Sequence, residues 1–164
     1  MPTSTEFEAS FEHLRMLAFR SAYRVLGDTD QADDAASEAL VRTLGKWRKV
    51  SRLDYRDAWV TRVAANVAID TVRKRRNSSQ QPADSAVHDQ STLDRLATVS
   101  ALAALPKRQR EVVVLRFFAD MREPEIASAL GISANSVKKH MSRAFVALRI
   151  HLDETTEEVG NAIV

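Results

Sequence analysis

The sequence predicts an all-α fold in two small helical domains joined by a flexible linker. Three observations carry this. Apolar residues return at intervals of three and four through most of the chain, the spacing of a buried helix face, and no stretch keeps the two-residue alternation of a strand. Glycine and proline, four of each in 164 residues, are scarce and sit where helices would end. Residues 78–91, SSQQPADSAVHDQS, are polar, poor in apolar side chains and interrupted by Pro82, which marks a linker between two periodic regions.

Residues 6–26 read as a first helix, with Phe7, Phe11, Leu14, Leu17 or Ala18, and Val25 on one face and Gly27 as its stop. GDTD restarts a helix with Asp28 or Thr29 as cap and Asp33 and Asp34 near its positive end. That helix runs to about Trp47. Its apolar side comprises Ala32, Ala35, Ala36, Ala39, Leu40, Thr43, Leu44 and Trp47, while Asp33, Asp34, Ser37 and Glu38 leave an acidic patch on another face. Residues 48–57, RKVSRLDYRD, lack helical periodicity and read as an arginine-rich loop. Residues 58–76 resume as a long helix whose end, Arg73, Lys74, Arg75 and Arg76, complements the helix dipole.

After the linker, Thr92 caps a helix that stops at Pro106, and residues 107–118 form the next. EPEIASAL carries its proline in the first turn, where a missing N–H is tolerated, and Gly131 closes it. Ser133 caps the following helix. Ala127, Gly131 and Val137 supply the small crossing residue, the turn glycine and the apolar anchor of a helix-turn-helix. In the second of its helices Val137, Met141, Ala144, Phe145 and Leu148 are expected to face the core. Asn135, Lys138, Lys139, Ser142 and Arg143 fall on the opposite side, a face suited to the major groove. The acidic tail, residues 153–164, is expected to fray. The domains are thus 6–77 and 92–152. Each is small for an independent core, so docking on a partner or on each other contributes to order.

Composition excludes several classes of function. At 45% hydrophobic and 28% charged residues the chain is globular rather than disordered. Without cysteine there is no disulfide, thiol chemistry or cysteine-bound zinc, and His13, His88, His140 and His151 lack ligand spacing. No apolar run reaches membrane-spanning length, and the N-terminus lacks the features of a signal peptide, so a cytoplasmic location is expected. No phosphate loop, HExxH or GxSxG occurs, and Asp33 with Asp34 lacks the further ligands of a metal site. The expectation is no catalytic residue, cofactor or metal.

The net charge of +2 conceals segregation. Residues 1–41 hold eight acidic and three basic side chains, residues 42–77 three acidic and eleven basic, and residues 92–152 five acidic and ten basic. Two basic blocks mean two places where the chain meets a polyanion. In the first block, phosphates can be held by lysine and arginine, with Tyr55, Trp59 and Asn66 available to stack on or read unpaired bases. Trp47 reads better as a core anchor. Trp59 fits either role, and Asn66, a poor helix former, either completes a polar network or faces a base.

Taken together, the two blocks resemble the compact two-domain sigma factors of bacterial RNA polymerase, the extracytoplasmic-function group. LPKRQREVVVLR, EIASALGIS and SVKKHMSRAFVALR look like the promoter-reading region 4 of that family. YRVLGDTDQADDAASEAL and AWVTRVAANVAIDTVRKRR look like its region 2. The resemblance implies a factor without catalysis that docks on the clamp helices of the largest polymerase subunit through Asp33, Asp34 and Glu38, with Leu40 and Arg42 beside them. It implies minus-ten contacts from Arg52, Tyr55, Arg56, Trp59, Arg62, Asn66, Arg73, Lys74 and Arg76. It implies minus-thirty-five contacts from Arg116, Asn135, Ser136, Lys138, Lys139, Ser142 and Arg143. The implied partners are core RNA polymerase, including its beta flap, promoter DNA, and in some members an anti-sigma factor. The chain departs from the family pattern at Arg122, where a Ser or Thr cap is common, so Asp120 is an alternative cap. It departs again at Ala65, often basic, and at Ser136, often threonine. A stand-alone regulator of the response-regulator output type would explain residues 105–149 and leave residues 6–76 as a dimerisation module. A helical adaptor would leave both basic blocks unexplained.

Overall fold

The computed structural model describes residues 4–78 and 90–162 and contains eight helices and no strand among them. The first unit consists of α1 (Ser4–Leu26), α2 (Thr29–Gly45), the single turn α3 (Trp47–Val50) and α4 (Arg56–Asn77). The second consists of α5 (Gln90–Ala104), α6 (Lys107–Phe117), α7 (Glu123–Leu130) and α8 (Ala134–Ala162).

In the first unit α1, α2 and α4 pack against one another. The alanine stripe of α2, Ala32, Ala35, Ala36 and Ala39, is buried and allows close approach of the neighbouring helices. Phe7, Leu14 and Ala18 of α1 meet Leu40, Trp47, Val50, Val60 and Ala64 in one cluster. The Ser21 hydroxyl donates to the Thr61 carbonyl at 2.8 Å, so the one buried serine between α1 and α4 is satisfied. Gly27 adopts a left-handed conformation (φ 63°) that ends α1. Asp28 then caps α2 by accepting from the Gln31 amide at 2.9 Å, which settles the choice between Asp28 and Thr29.

Several boundaries differ from the sequence reading. Helix α2 stops at Gly45 rather than near Trp47, residues 47–50 form a helical turn that reaches into the expected loop 48–57, with Trp47 and Val50 buried, and α4 begins at Arg56, two residues early. Gln90 and Ser91, assigned to the linker, belong to α5; residues 79–89 of that linker lie outside the described part. Helix α8 continues through the expected frayed tail to Ala162, since neither proline nor glycine interrupts it before Gly160.

The helix-turn-helix is built as its residues demand. Ala127 and Val137 are buried, and Gly131 takes the left-handed conformation (φ 64°) at the end of α7. The Ser136 amide donates to Ser133 Oγ at 3.0 Å, capping α8. Val112, Leu115, Met121, Ile126 and Leu130 complete its core. Arg122, not Asp120, holds the cap position of α7. A guanidinium cannot accept the exposed amides, so Glu125 works in the other direction, accepting from the Arg122 amide at 2.7 Å. Asp120 instead takes a left-handed turn (φ 53°). Phe145, expected in the core, is 48% exposed at the edge of α8 and packs edge-on against Phe117 at 6.0 Å.

Candidate functional site

Three faces carry the polar side chains that the sequence singles out. On α8, Asn135, Lys138, Lys139, Ser142 and Arg143 are all exposed on the side opposite Val137 and Ala144. Ser136, half-buried, receives the Ser133 hydroxyl at 2.9 Å and so belongs partly to the cap. Lys138 Nζ lies 3.9 Å from Glu123 Oε2, an exposed pair that leaves the ammonium free to exchange partners. Arg116 projects from the last turn of α6 and donates to the Met121 carbonyl at 3.2 Å, tying down the turn that leads into α7.

The second face follows residues 52–76. Arg52, Arg73 and Lys74 are exposed, whereas Tyr55, Arg56, Trp59, Arg62 and Asn66 are half-buried. The side chain of Arg76 lies outside the described part. Trp59 packs against the first unit's core cluster, so its ring is partly anchored and partly open. Trp47 is buried, as expected, edge-on to Phe7 at 5.0 Å. The Arg56 guanidinium stands 5.8 Å from the Trp47 ring, a cation–π contact that sets its direction. Asn66 Oδ1 is buried without a hydrogen-bond partner in the described structure, so it is not the centre of a satisfied polar network. Arg62 Nη1 is 3.9 Å from Glu111 Oε1 of α6.

The third face lies on α2. Asp33, Asp34, Glu38 and Arg42 are exposed, and Arg42 pairs with Glu38 one turn away. Leu40 does not belong with them. It is only 6% exposed and sits in the core cluster with Ala36 and Ala39, because the alanine stripe rotates that side of the helix inward. The apolar side chains beside the acids are instead Val41, 70% exposed, and Leu44, 51% exposed. Sequence reasoning missed Val41 and assigned Leu44 to the core. Their position off the alanine stripe was the available signal. No group of three potential metal ligands occurs among the described residues, and no helix there is long and apolar enough to cross a membrane.

Two helical units, the second holding a helix-turn-helix and both carrying exposed basic side chains, make up the class of protein to which the relatives belong. Residues 11–78 match Sigma-70 region 2, and residues 95–148 match Sigma-70, region 4. The RNA polymerase sigma-E factor of Streptomyces avermitilis is 35% identical over 153 residues, covering 90% of this chain and 86% of that protein. The ECF RNA polymerase sigma factor SigL of Mycobacterium tuberculosis is 34% identical over 158 residues, covering 87% of this chain and 86% of that protein. A solved structure of the sigma factor RpoE of Bartonella quintana, in complex with the anti-sigma factor NepR, has a similar fold, with a TM-score of 0.54, 22% identity, and coverage of 90% of this chain and 97% of that one. The chain belongs to the extracytoplasmic-function RNA polymerase sigma factors, non-enzymatic factors that direct promoter-specific transcription initiation. The match over residues 11–78 removes the reading of that segment as the dimerisation module of a stand-alone regulator.

Proposed function

We propose that the three faces divide the work of initiation. The observation that carries this is the solvent exposure of Asn135, Lys138, Lys139, Ser142 and Arg143 on the second helix of the helix-turn-helix, with their cap and core spent on holding that helix rigid. Residues 92–152 read the minus-thirty-five element as duplex. Lys138, Lys139 and Arg143 supply base-edge or phosphate contacts, Asn135 and Ser142 hydrogen bonds, and Arg116 and Ser136 support at the margin. Residues 6–77 act at the minus-ten element. Tyr55, Trp59 and Asn66 receive an unstacked base. Arg52, Arg56, Arg62, Arg73, Lys74 and Arg76 hold the phosphates around it. The buried, unpartnered Asn66 Oδ1 supports this, since a base donor would relieve it.

Asp33, Asp34, Glu38 and Arg42 form the docking surface for core polymerase, with Val41 and Leu44 as its apolar centre and Leu40 beneath it as support. The chain contributes no bond-making chemistry of its own and works in the cytoplasm, where polymerase and promoter are. The test is promoter-directed run-off transcription by core polymerase with the wild-type chain and with Lys138→Ala/Arg143→Ala. The expected result is loss of promoter-specific transcript with core binding retained. Equal loss of core binding would remove α8 from DNA recognition.

A further inference from the structure

The helix-turn-helix has an acidic start beside its basic face. Helix α7 opens on Glu123, Pro124 and Glu125, and its two carboxylates serve different ends. Glu125 accepts from the Arg122 amide at 2.7 Å and lies 3.6 Å from the Arg122 guanidinium, so it is spent on the cap. Glu123 takes no part in that cap. Its Oε2 lies 3.9 Å from Lys138 Nζ, a pair that bridges α7 and α8 at the edge of the exposed face. Both side chains are open to solvent, at 43% for Glu123 and 65% for Lys138. Among the described residues neither Lys139 nor Arg143 has a carboxylate partner, so Lys138 is the one cation of this face that comes with its own anion.

A carboxylate this close to the lysine head reaches the same part of a bound duplex. It is an acceptor only, and the major groove tells bases apart by their donors and acceptors. A G·C pair shows there the O6 and N7 acceptors of guanine and, about 3 Å from O6, the N4 amino donor of cytosine. The cation and the anion of the Lys138–Glu123 pair match these two groups in kind and in spacing. We propose that Glu123 is a specificity-determining residue, and that the pair reads one G·C base pair by exchange: Lys138 leaves Glu123 for guanine while Glu123 accepts from cytosine N4. Both ions then find a new partner. Where thymine stands in place of that cytosine, Glu123 loses Lys138 and meets a carbonyl acceptor, among phosphates of its own sign. The penalty falls on the wrong sequence, which is discrimination by rejection as well as by attraction. The inference rests on the reading of α8 as the minus-thirty-five helix made above.

The test uses the full chain with core polymerase and a promoter fragment recovered by transcription with wild type. That fragment competes against its single-base-pair variants across the minus-thirty-five element. Wild type should prefer cytosine over thymine at one position by about tenfold. Glu123→Ala should abolish that preference and leave those at the other base pairs as they are. Lys138→Ala should flatten the same base pair, and the double variant should do no more than either change alone. Glu123→Gln puts an amide in place of the acceptor, which matches N6 and N7 of adenine, so the preference should move from cytosine to adenine. A uniform change across all the variants, or no change, would overturn base reading by Glu123. Loss at different base pairs for Glu123→Ala and Lys138→Ala would overturn the exchange. Failure of the α8 reading itself has a separate mark: Lys138→Ala/Arg143→Ala then leaves every base preference of the element intact.

Discussion

Lys138 and Arg143 sit on the same exposed side of α8 but differ in their surroundings. Lys138 has Glu123 within 3.9 Å, so a duplex bound as proposed would draw it from that partner. Replacing either cation by alanine should remove about 1–3 kcal/mol of discrimination at one base pair if it reads a guanine edge, and only a uniform, salt-sensitive loss if it holds phosphate. Competition binding against single-base promoter variants separates these outcomes. Glu125 offers a second residue-scale test. The Arg122 backbone amide, and then its side chain, hold the Glu125 carboxyl below its usual value of 4.5. A lowered folded pKa means stability that is present above that value and lost as pH falls through the folded one. Thermal melts from pH 7 to about pH 3 should therefore fall more steeply for wild type than for Glu125→Gln. Parallel curves would contradict the cap. Arg122→Ser supplies a hydroxyl acceptor for the free amides of α7 and should raise stability by about 0.5–1 kcal/mol in a denaturant titration.

At the scale of the element, α2 shows what periodicity can and cannot reveal. The alanine stripe and the exposed Asp33, Asp34 and Glu38 were legible, because small apolar and charged residues leave little choice of face. Leu44 was not, and Leu40, placed correctly on the apolar side, was also counted with the acidic face. Both lie within reach of the apolar stripe, and only the position of α1 and α4 decides which of them is covered. Leu40→Ala should accordingly cost about 2–5 kcal/mol of stability by melting, whereas Val41→Ala should leave melting unchanged and weaken polymerase binding. A stable Leu40→Ala variant that fails to bind polymerase would reverse this assignment. The same limit applies to Phe145, whose helical spacing matches the core face while Phe117 meets it at the rim. The turn signals in GDTD and LGIS were decisive, since Gly27 and Gly131 both take left-handed conformations that few other residues adopt. Helix α3 escaped notice because four residues are too few to show a period.

At the scale of the whole molecule, the division into two helical units could be read from the polar stretch between them. The core that joins them could not. Its members, such as Val25, Ile69, Leu102 and Val114, belong to periodic faces that each helix uses in part at home. Both units are small, and this shared core buries apolar surface that neither could bury alone. If α2 binds polymerase while α8 chooses the promoter, as proposed, the two functions can be separated by mutation. Transcription by core polymerase from a genomic fragment library, with wild type, Asp34→Lys/Glu38→Lys and Lys138→Ala/Arg143→Ala in parallel, tests that claim most directly. Wild type should give a defined set of promoter-specific transcripts. The α2 variant should recover the same set when its concentration is raised, and the α8 variant should lose the set at any concentration while still binding polymerase. Transcripts of unchanged identity and yield with the α8 variant, or none from wild type with active polymerase, would contradict it.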